Sequence, residues 1–89
     1  MFIVKPTNRF LRDLRLAKKR GYDLDKIEAT VDLLQAGKPL PVKNRDHSLS
    51  GNWHNHRECH IEPDWLLIYR IDQDFLFLER TGTHTDLFE

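Results

Sequence analysis

The chain opens on three apolar residues, Phe2, Ile3 and Val4, followed by Lys5 and Pro6. This reads as a short strand that Pro6 stops, because proline brings no N–H to a ladder. Beyond it the apolar period changes. Phe10, Leu14 and Ala17 recur at helical spacing with Leu11 beside them, while Arg12, Arg15 and Lys19 fall on the other side. The spacing predicts a helix that Thr7 or Asn8 caps, that runs to Arg20 and that Gly21 ends. Lys18, Lys19 and Arg20 close it with positive charge, which favours the negative end of the helix dipole. A second stripe, Leu24, Ile27, Val31 and Leu34, follows Asp23 as a cap and ends at Gly37. The link between the stripes is short, so the two helices are expected to lie antiparallel.

Lys38 to Asn52 carries two prolines and little periodicity, and reads as an ordered loop. Three strands are predicted after it, Trp53 to Glu62, Trp65 to Ile71 and Phe75 to Arg80. Pro63-Asp64 and Asp72-Gln73-Asp74 are the turns between them, and connectors so short make antiparallel neighbours. Trp65 to Tyr69 is apolar almost throughout, which marks a central strand. Thr81 to Glu89 is expected to leave the last strand as a short terminal turn or helix. The predicted class is α+β: an N-terminal strand and a two-helix hairpin packed on a mainly antiparallel four-stranded sheet, forming one domain over residues 1–89.

Composition narrows the class of protein. A chain of 89 residues with 39% hydrophobic and 31% charged side chains can build one modest core and is not disordered in character. No apolar run reaches the roughly 20 residues of a membrane-spanning helix. The start, MFIVKPTNRF, has only a three-residue apolar stretch, so no secretory leader is predicted. Cys59 is the single cysteine and cannot form an internal disulfide, which fits a cytoplasmic location. Net charge is zero but divided: residues 1–45 hold eleven Lys/Arg against five Asp/Glu, and residues 46–89 hold three against nine. Lys5 to Arg20 alone has seven bases and one acid. Such a run can bind polyphosphate or an acidic protein segment, or be only a solvated helix face.

Candidate chemistry concentrates in DHSLSGNWHNHRECHIEPDW, residues 46–65, which contains four of the five histidines and Cys59. A structural zinc site would supply Cys or His in paired spacings. Cys59 has no partner cysteine, and on a strand it points away from its neighbour His60. His54 and His56 could share an ion, but nothing obvious completes the set. Proton chemistry suits the pattern better. On a strand His56, Glu58, His60 and Glu62 would share one face, with Asp64 just beyond, and a carboxylate beside a histidine orients the ring. The pattern alone leaves two readings open, an acid/base surface or a polar sheet face without chemistry.

Three stretches together carry a resemblance: DHSLSGNW at 46–53, RECHIEPDWLLIY at 57–69 and ERTGTHTDLF at 79–88. Their order and spacing resemble the YafQ branch of the RelE/ParE toxins, across essentially the whole chain. The resemblance implies a RelE-like fold and a ribosome-dependent mRNA endoribonuclease that cuts the codon in the A site without cofactor or metal. It implies as partners a cognate antitoxin of the DinJ/RelB type encoded upstream, the ribosome with its mRNA and rRNA, and operator DNA only through the antitoxin complex. Its catalytic positions fall on His47, His60, Asp64 and His84. Glu58, Trp65, Arg80 and Phe88 match positions that support RNA binding or the transition state, with Arg80 facing developing phosphate charge and Phe88 stacking on a base. His60 or His47 would be the base, oriented by Asp64, and His84 the acid. Arg9, Arg12, Arg15, Lys18, Lys19 and Arg20 would face rRNA, since the chain is neutral overall and only its first half is basic. His54 and His56 match no histidine of the family, and Cys59 falls at a small, packed position. Two other readings share the fold: a non-catalytic relative that only binds antitoxin and operator, and a ParE-like gyrase inhibitor, which lacks this histidine set.

Overall fold

The computed structural model describes residues 1–88 and gives a helix pair laid on one five-stranded sheet. Strand β1 (Ile3–Pro6) is followed by helices α1 (Asn8–Lys19) and α2 (Leu24–Gln35). A two-residue strand β2 (His47–Ser48) comes next, then β3 (Arg57–Glu62), β4 (Trp65–Asp72), β5 (Phe75–Gly82) and a short helix α3 (His84–Phe88). The order across the sheet is β1-β5-β4-β3-β2. All pairings are antiparallel except β1 with β5. The fifth strand is the addition to the predicted four. Glu89, the end of the predicted terminal turn, lies outside the described residues.

Local chemistry explains most boundaries. Thr7 caps α1, its hydroxyl accepting from the Phe10 N–H at 3.0 Å, and Asp23 caps α2 in the same way through Asp25. Phe10 and Ala17 of α1 and Ile27 and Leu34 of α2 face Cys59, Trp65, Leu67, Tyr69, Leu76 and Leu78 of the sheet. Each such aliphatic or aromatic side chain contributes about 1.5–3 kcal/mol on burial. The other face of β4 has a second, smaller cluster, in which Leu66 and Ile68 meet Leu87 of α3, with Leu49 and Trp53 at its margin. The apolar run of β4 is thus explained: both faces of the central strand are covered.

Three sequence expectations change. Trp53 to His56 is turn rather than strand: Gly51–Trp53 forms a single 3-10 turn and Asn55 takes φ 67°, a left-handed value that asparagine tolerates. His47 and Ser48 join the sheet out of the predicted loop, paired with Glu58 and Arg57. The face shared by alternate residues of β3 is also interrupted. The β3–β4 register shifts between His60 and Glu62, a bulge that sends Glu62 toward α2, where Lys26 pairs with it. Glu58 and His60 remain together, while His56 turns to Glu79 at 3.0 Å.

Candidate active site

The site lies on the sheet face opposite the two long helices, where β2, β3, the β3–β4 turn and the start of α3 meet. Antiparallel pairing places His47 directly across from Glu58. Two residues along β3, His60 returns to the same face, with Cys59 between them directed into the core. The Pro63-Asp64 turn carries Asp64 toward His84, the first residue of α3. The three rings form a row. His47 and His60 have centroids 6.5 Å apart, and His60 and His84 5.8 Å apart.

Hydrogen bonding assigns the ring hydrogens. Nδ1 of His47 lies 2.6 Å from the Arg45 carbonyl, and Nδ1 of His60 lies 3.2 Å from the Pro63 carbonyl. A carbonyl oxygen only accepts, so both Nδ1 atoms bear hydrogen and both Nε2 atoms are turned to the site. Those Nε2 atoms meet one carboxylate. Glu58 Oε2 is 3.0 Å from His47 Nε2 and 4.0 Å from His60 Nε2. The first is an ion-pair distance, realised when the His47 ring carries charge. The second is too long for a hydrogen bond. A neutral His60 therefore offers a free lone pair at Nε2. Glu58 is only 6% exposed, and its Oε1 meets no donor among the described residues. A buried carboxylate oxygen without a donor costs stability, and such local cost is typical of a functional position.

His84 is held differently. Asp64 Oδ1 accepts from the His84 backbone N–H at 2.9 Å and from Nδ1 at 2.5 Å. These two bonds, the backbone one first, hold the Asp64 carboxyl below its usual range. A carboxylate behind Nδ1 stabilises a positive ring, so His84 can carry a second proton on Nε2. The expected pairing of Asp64 with His60 or His47 is thus corrected: Asp64 orients His84, and Glu58 is the carboxylate facing the other two. Phe88 stands four residues after His84 on the same short helix and is 43% exposed, while its neighbour Leu87 packs on Leu66 and Ile68.

Two expected contact residues are engaged elsewhere. Trp65 is 3% exposed, lies against Tyr22 with ring centroids at 4.8 Å, and donates from Nε1 to Thr81 Oγ1 at 2.9 Å. It faces the helix-side core and offers no surface to a base. Arg80 forms a two-bond ion pair with Asp13 of α1, at 2.7 and 3.0 Å. Arg20 is also taken, by Asp86 of α3 at 2.6 and 3.2 Å, so it is not a free rRNA contact like the exposed Arg9, Arg12, Arg15, Lys18 and Lys19. Burial pushes the Cys59 thiol up to about 12, which leaves it inert as a ligand or nucleophile. Among the described residues the His54 ring bonds only the Gly51 carbonyl, at 3.3 Å. Among the described residues no three His, Cys, Asp or Glu side chains converge on a common point suited to a metal ion.

The Arg20–Asp86 pair fastens the helix that carries His84 and Phe88. Asp86 and Thr83 also cap each other across the start of α3, Thr83 N–H to Asp86 Oδ2 at 3.0 Å and Asp86 N–H to Thr83 Oγ1 at 3.1 Å. Gly82 makes room for this. A Cβ at Gly82 would stand 2.8 Å from Asp86 Oδ2, and its φ of 157° is unfavourable for other residues. The hydrogen bond from Arg20 holds the Asp86 carboxyl well below the usual carboxylate range. Its stabilisation is therefore complete above the unfolded value of about 3.9 and is lost as pH falls through the lower folded value. Asp86→Asn should lower the melting temperature at neutral pH, and the gap to the parent should close progressively below about pH 4. A pH-independent gap in thermal melts would show that the charge is not what holds α3.

Known proteins share this chain's fold and much of its sequence. Residues 3–89 match the family described as the bacterial toxin of type II toxin–antitoxin system, YafQ. The mRNA interferase toxin YafQ of Escherichia coli strain K12 is 41% identical over 86 residues, which cover 96% of this chain and 94% of that protein. The toxin in the crystal structure of the E. coli DinJ–YafQ toxin–antitoxin complex superposes with a TM-score of 0.91 at 39% identity, covering 99% of this chain and 98% of that one. A metal-bound toxin from Helicobacter pylori superposes with a TM-score of 0.94 at 39% identity, covering 99% of this chain and 100% of that one. The likeness thus extends over the same α+β framework and the strands that bring His47, Glu58, His60, Asp64 and His84 together, and the chain belongs to the YafQ family of bacterial type II toxins.

Proposed function

We propose that the chain is an mRNA interferase toxin: an endoribonuclease that cuts mRNA in the ribosomal A site by proton transfer between its own side chains, with residues 1–89 acting as one cytoplasmic toxin domain. The contrast between His60 and His84 carries this reading. His60, held by a neutral carbonyl and presenting a free Nε2, takes the proton of a ribose 2′-OH. That oxygen attacks the adjacent phosphorus, the P–O5′ bond breaks, and the departing 5′-oxygen receives the proton on Nε2 of His84. The products are a 2′,3′-cyclic phosphate and a 5′-OH. Asp64 keeps His84 oriented through its backbone N–H and Nδ1. His47 stands beside His60 with its Nε2 toward the site, and Glu58, 4.0 Å from His60 Nε2, is the carboxylate placed to stabilise His60 once it has taken the proton. Each placed proton transfer is typically worth about 10²–10⁴-fold. Phe88 stacks on a base next to the cleaved bond, worth about 1–3 kcal/mol. Arg80, fixed by Asp13, acts through its remaining N–H groups and its charge.

The partner that silences the toxin is an antitoxin of the DinJ type. The exposed bases Arg9, Arg12, Arg15, Lys18 and Lys19 on α1 supply the attraction to rRNA phosphate that the neutral total charge does not.

Ribosomes stalled on a defined mRNA provide the test. The purified toxin should cut within the A-site codon and leave the cyclic phosphate end. Because ribosomes need Mg²⁺, the metal question is asked with a chelator selective for transition metals. Cleavage should persist after such treatment and be unaffected by added zinc or copper. Uncut mRNA in the presence of folded toxin, or activity that returns only with a transition metal, would overturn the reading.

A further inference from the structure

We propose that Lys43 and Arg45 form a phosphate subsite beside His60, which takes the mRNA phosphate next to the scissile one on the side away from Phe88. This inference rests on the cleavage reading above and deepens it. A cavity of about 490 Å³ opens against His60, and its wall is the turn Lys43–Asn44–Arg45 together with Ile61, Glu62 and Pro63. His60 is thus shared between this cavity and the catalytic row.

The cations around the site divide sharply. Arg20, Arg57 and Arg80 are each committed to an aspartate, and Lys26 to Glu62. Lys43 and Arg45 are exposed and make no ion pair among the described residues. They are therefore the cations at the His60 cavity whose charge is still available to an incoming anion. Glu62, the one acid on the cavity wall, is already neutralised by Lys26.

The turn is built to hold its position. Asn44 is 8% exposed and donates from Nδ2 to the His60 carbonyl at 2.7 Å. Arg45 sits at φ 48°, a left-handed value that a residue with Cβ rarely adopts, and its carbonyl accepts from His47 Nδ1. The backbone of this strained arginine is thus tied on one side to the His47 ring and through its neighbour to the His60 backbone. The row then has an order: Phe88 beside His84 for a base, His84 and His60 for the scissile phosphate, and the turn beside His60 and His47 for the following phosphate. A single strand of RNA repeats base and phosphate along the same line.

The test uses the whole toxin and the variants Lys43→Gln, Arg45→Gln and their combination, with thermal melts to confirm folding. On stalled ribosomes the double variant should raise KM about tenfold, with kcat changed far less, because a ground-state phosphate contact is lost rather than a proton transfer. A methylphosphonate placed singly at each phosphate flanking the cut should weaken wild-type cleavage at one position and have no further effect there in the double variant. An arm independent of cleavage is an amide chemical-shift titration with a 2′-O-methyl RNA trinucleotide, which cannot be cut. Shifts at Arg45, His47 and His60 are expected in the wild type and should be lost in the double variant. If the wild type cuts but KM, methylphosphonate sensitivity and shifts are the same in the double variant, the subsite is overturned. If the trinucleotide shifts behave as expected while no cleavage occurs, the subsite stands and the reaction assignment fails.

Discussion

His60→Gln and His84→Gln should each reduce cleavage of ribosome-bound mRNA by about 10²–10⁴-fold and remove growth arrest. Both side chains lie at the surface of the site rather than in a core cluster, so the loss should come without a large fall in melting temperature or in antitoxin binding. The two changes should not multiply. If His60 and His84 move protons in one concerted step, the double variant should be close to the worse single one. Asp64→Asn should follow His84 in this pattern, since Asp64 touches His84 and not His60. Glu58→Gln should instead follow His60, and can gain thermal stability as it loses activity, because it removes a buried charge whose Oε1 meets no donor. Cleavage at the parent rate by either histidine variant, measured at equal expression, would exclude that ring from proton transfer.

Trp65→Ala should unfold the protein at working temperature rather than impair RNA contact. The indole is 3% exposed, packs against Tyr22 and anchors Thr81. Truncating such a side chain costs about 3–5 kcal/mol. In a domain of this length each kcal/mol shifts the melting temperature by about 4–8 °C, so a fall of tens of degrees is expected. Trp65→Phe keeps most of the buried area but leaves Thr81 Oγ1 without its donor, and should melt at an intermediate temperature while still cutting mRNA in the cold. A Trp65→Ala protein that melts normally yet cannot cut would return this residue to the RNA surface.

Much of the framework follows from local pattern. The helical stripes led by Phe10 and Leu24, the caps at Thr7 and Asp23 and the turns at Pro63-Asp64 and Asp72–Asp74 all depend on residues a few places apart. Local physics decides them, so they are legible in order. The alternation of Cys59 and His60 was legible for the same reason: a strand's period of two separates neighbours onto opposite faces. The motifs carrying His47, His60, Asp64 and His84 could be recognised as a set, although nothing in their spacing says which ring meets which carboxylate.

That assignment is a property of the folded sheet. Asp64 is nearer in sequence to His60 than to His84, yet the β3–β4 turn and the start of α3 bring it 2.5 Å from His84 Nδ1. The bulge after His60 turns Glu62 away from the site, a one-residue shift in strand pairing that β3 by itself does not encode. Arg80 meets Asp13 across a separation of 67 residues and Arg20 meets Asp86 across 66, so their ion pairs have no local signature. His47 joins the sheet through a strand of two residues, too short for periodicity to mark and held by pairing with Glu58 and Arg57. The elements, their order and the residue types available for proton transfer are readable along the chain, because they depend on near neighbours. Which carboxylate meets which histidine, which arginines are paired and which cations beside His60 make no ion pair among the described residues depend instead on contacts between distant segments, which form once the core closes.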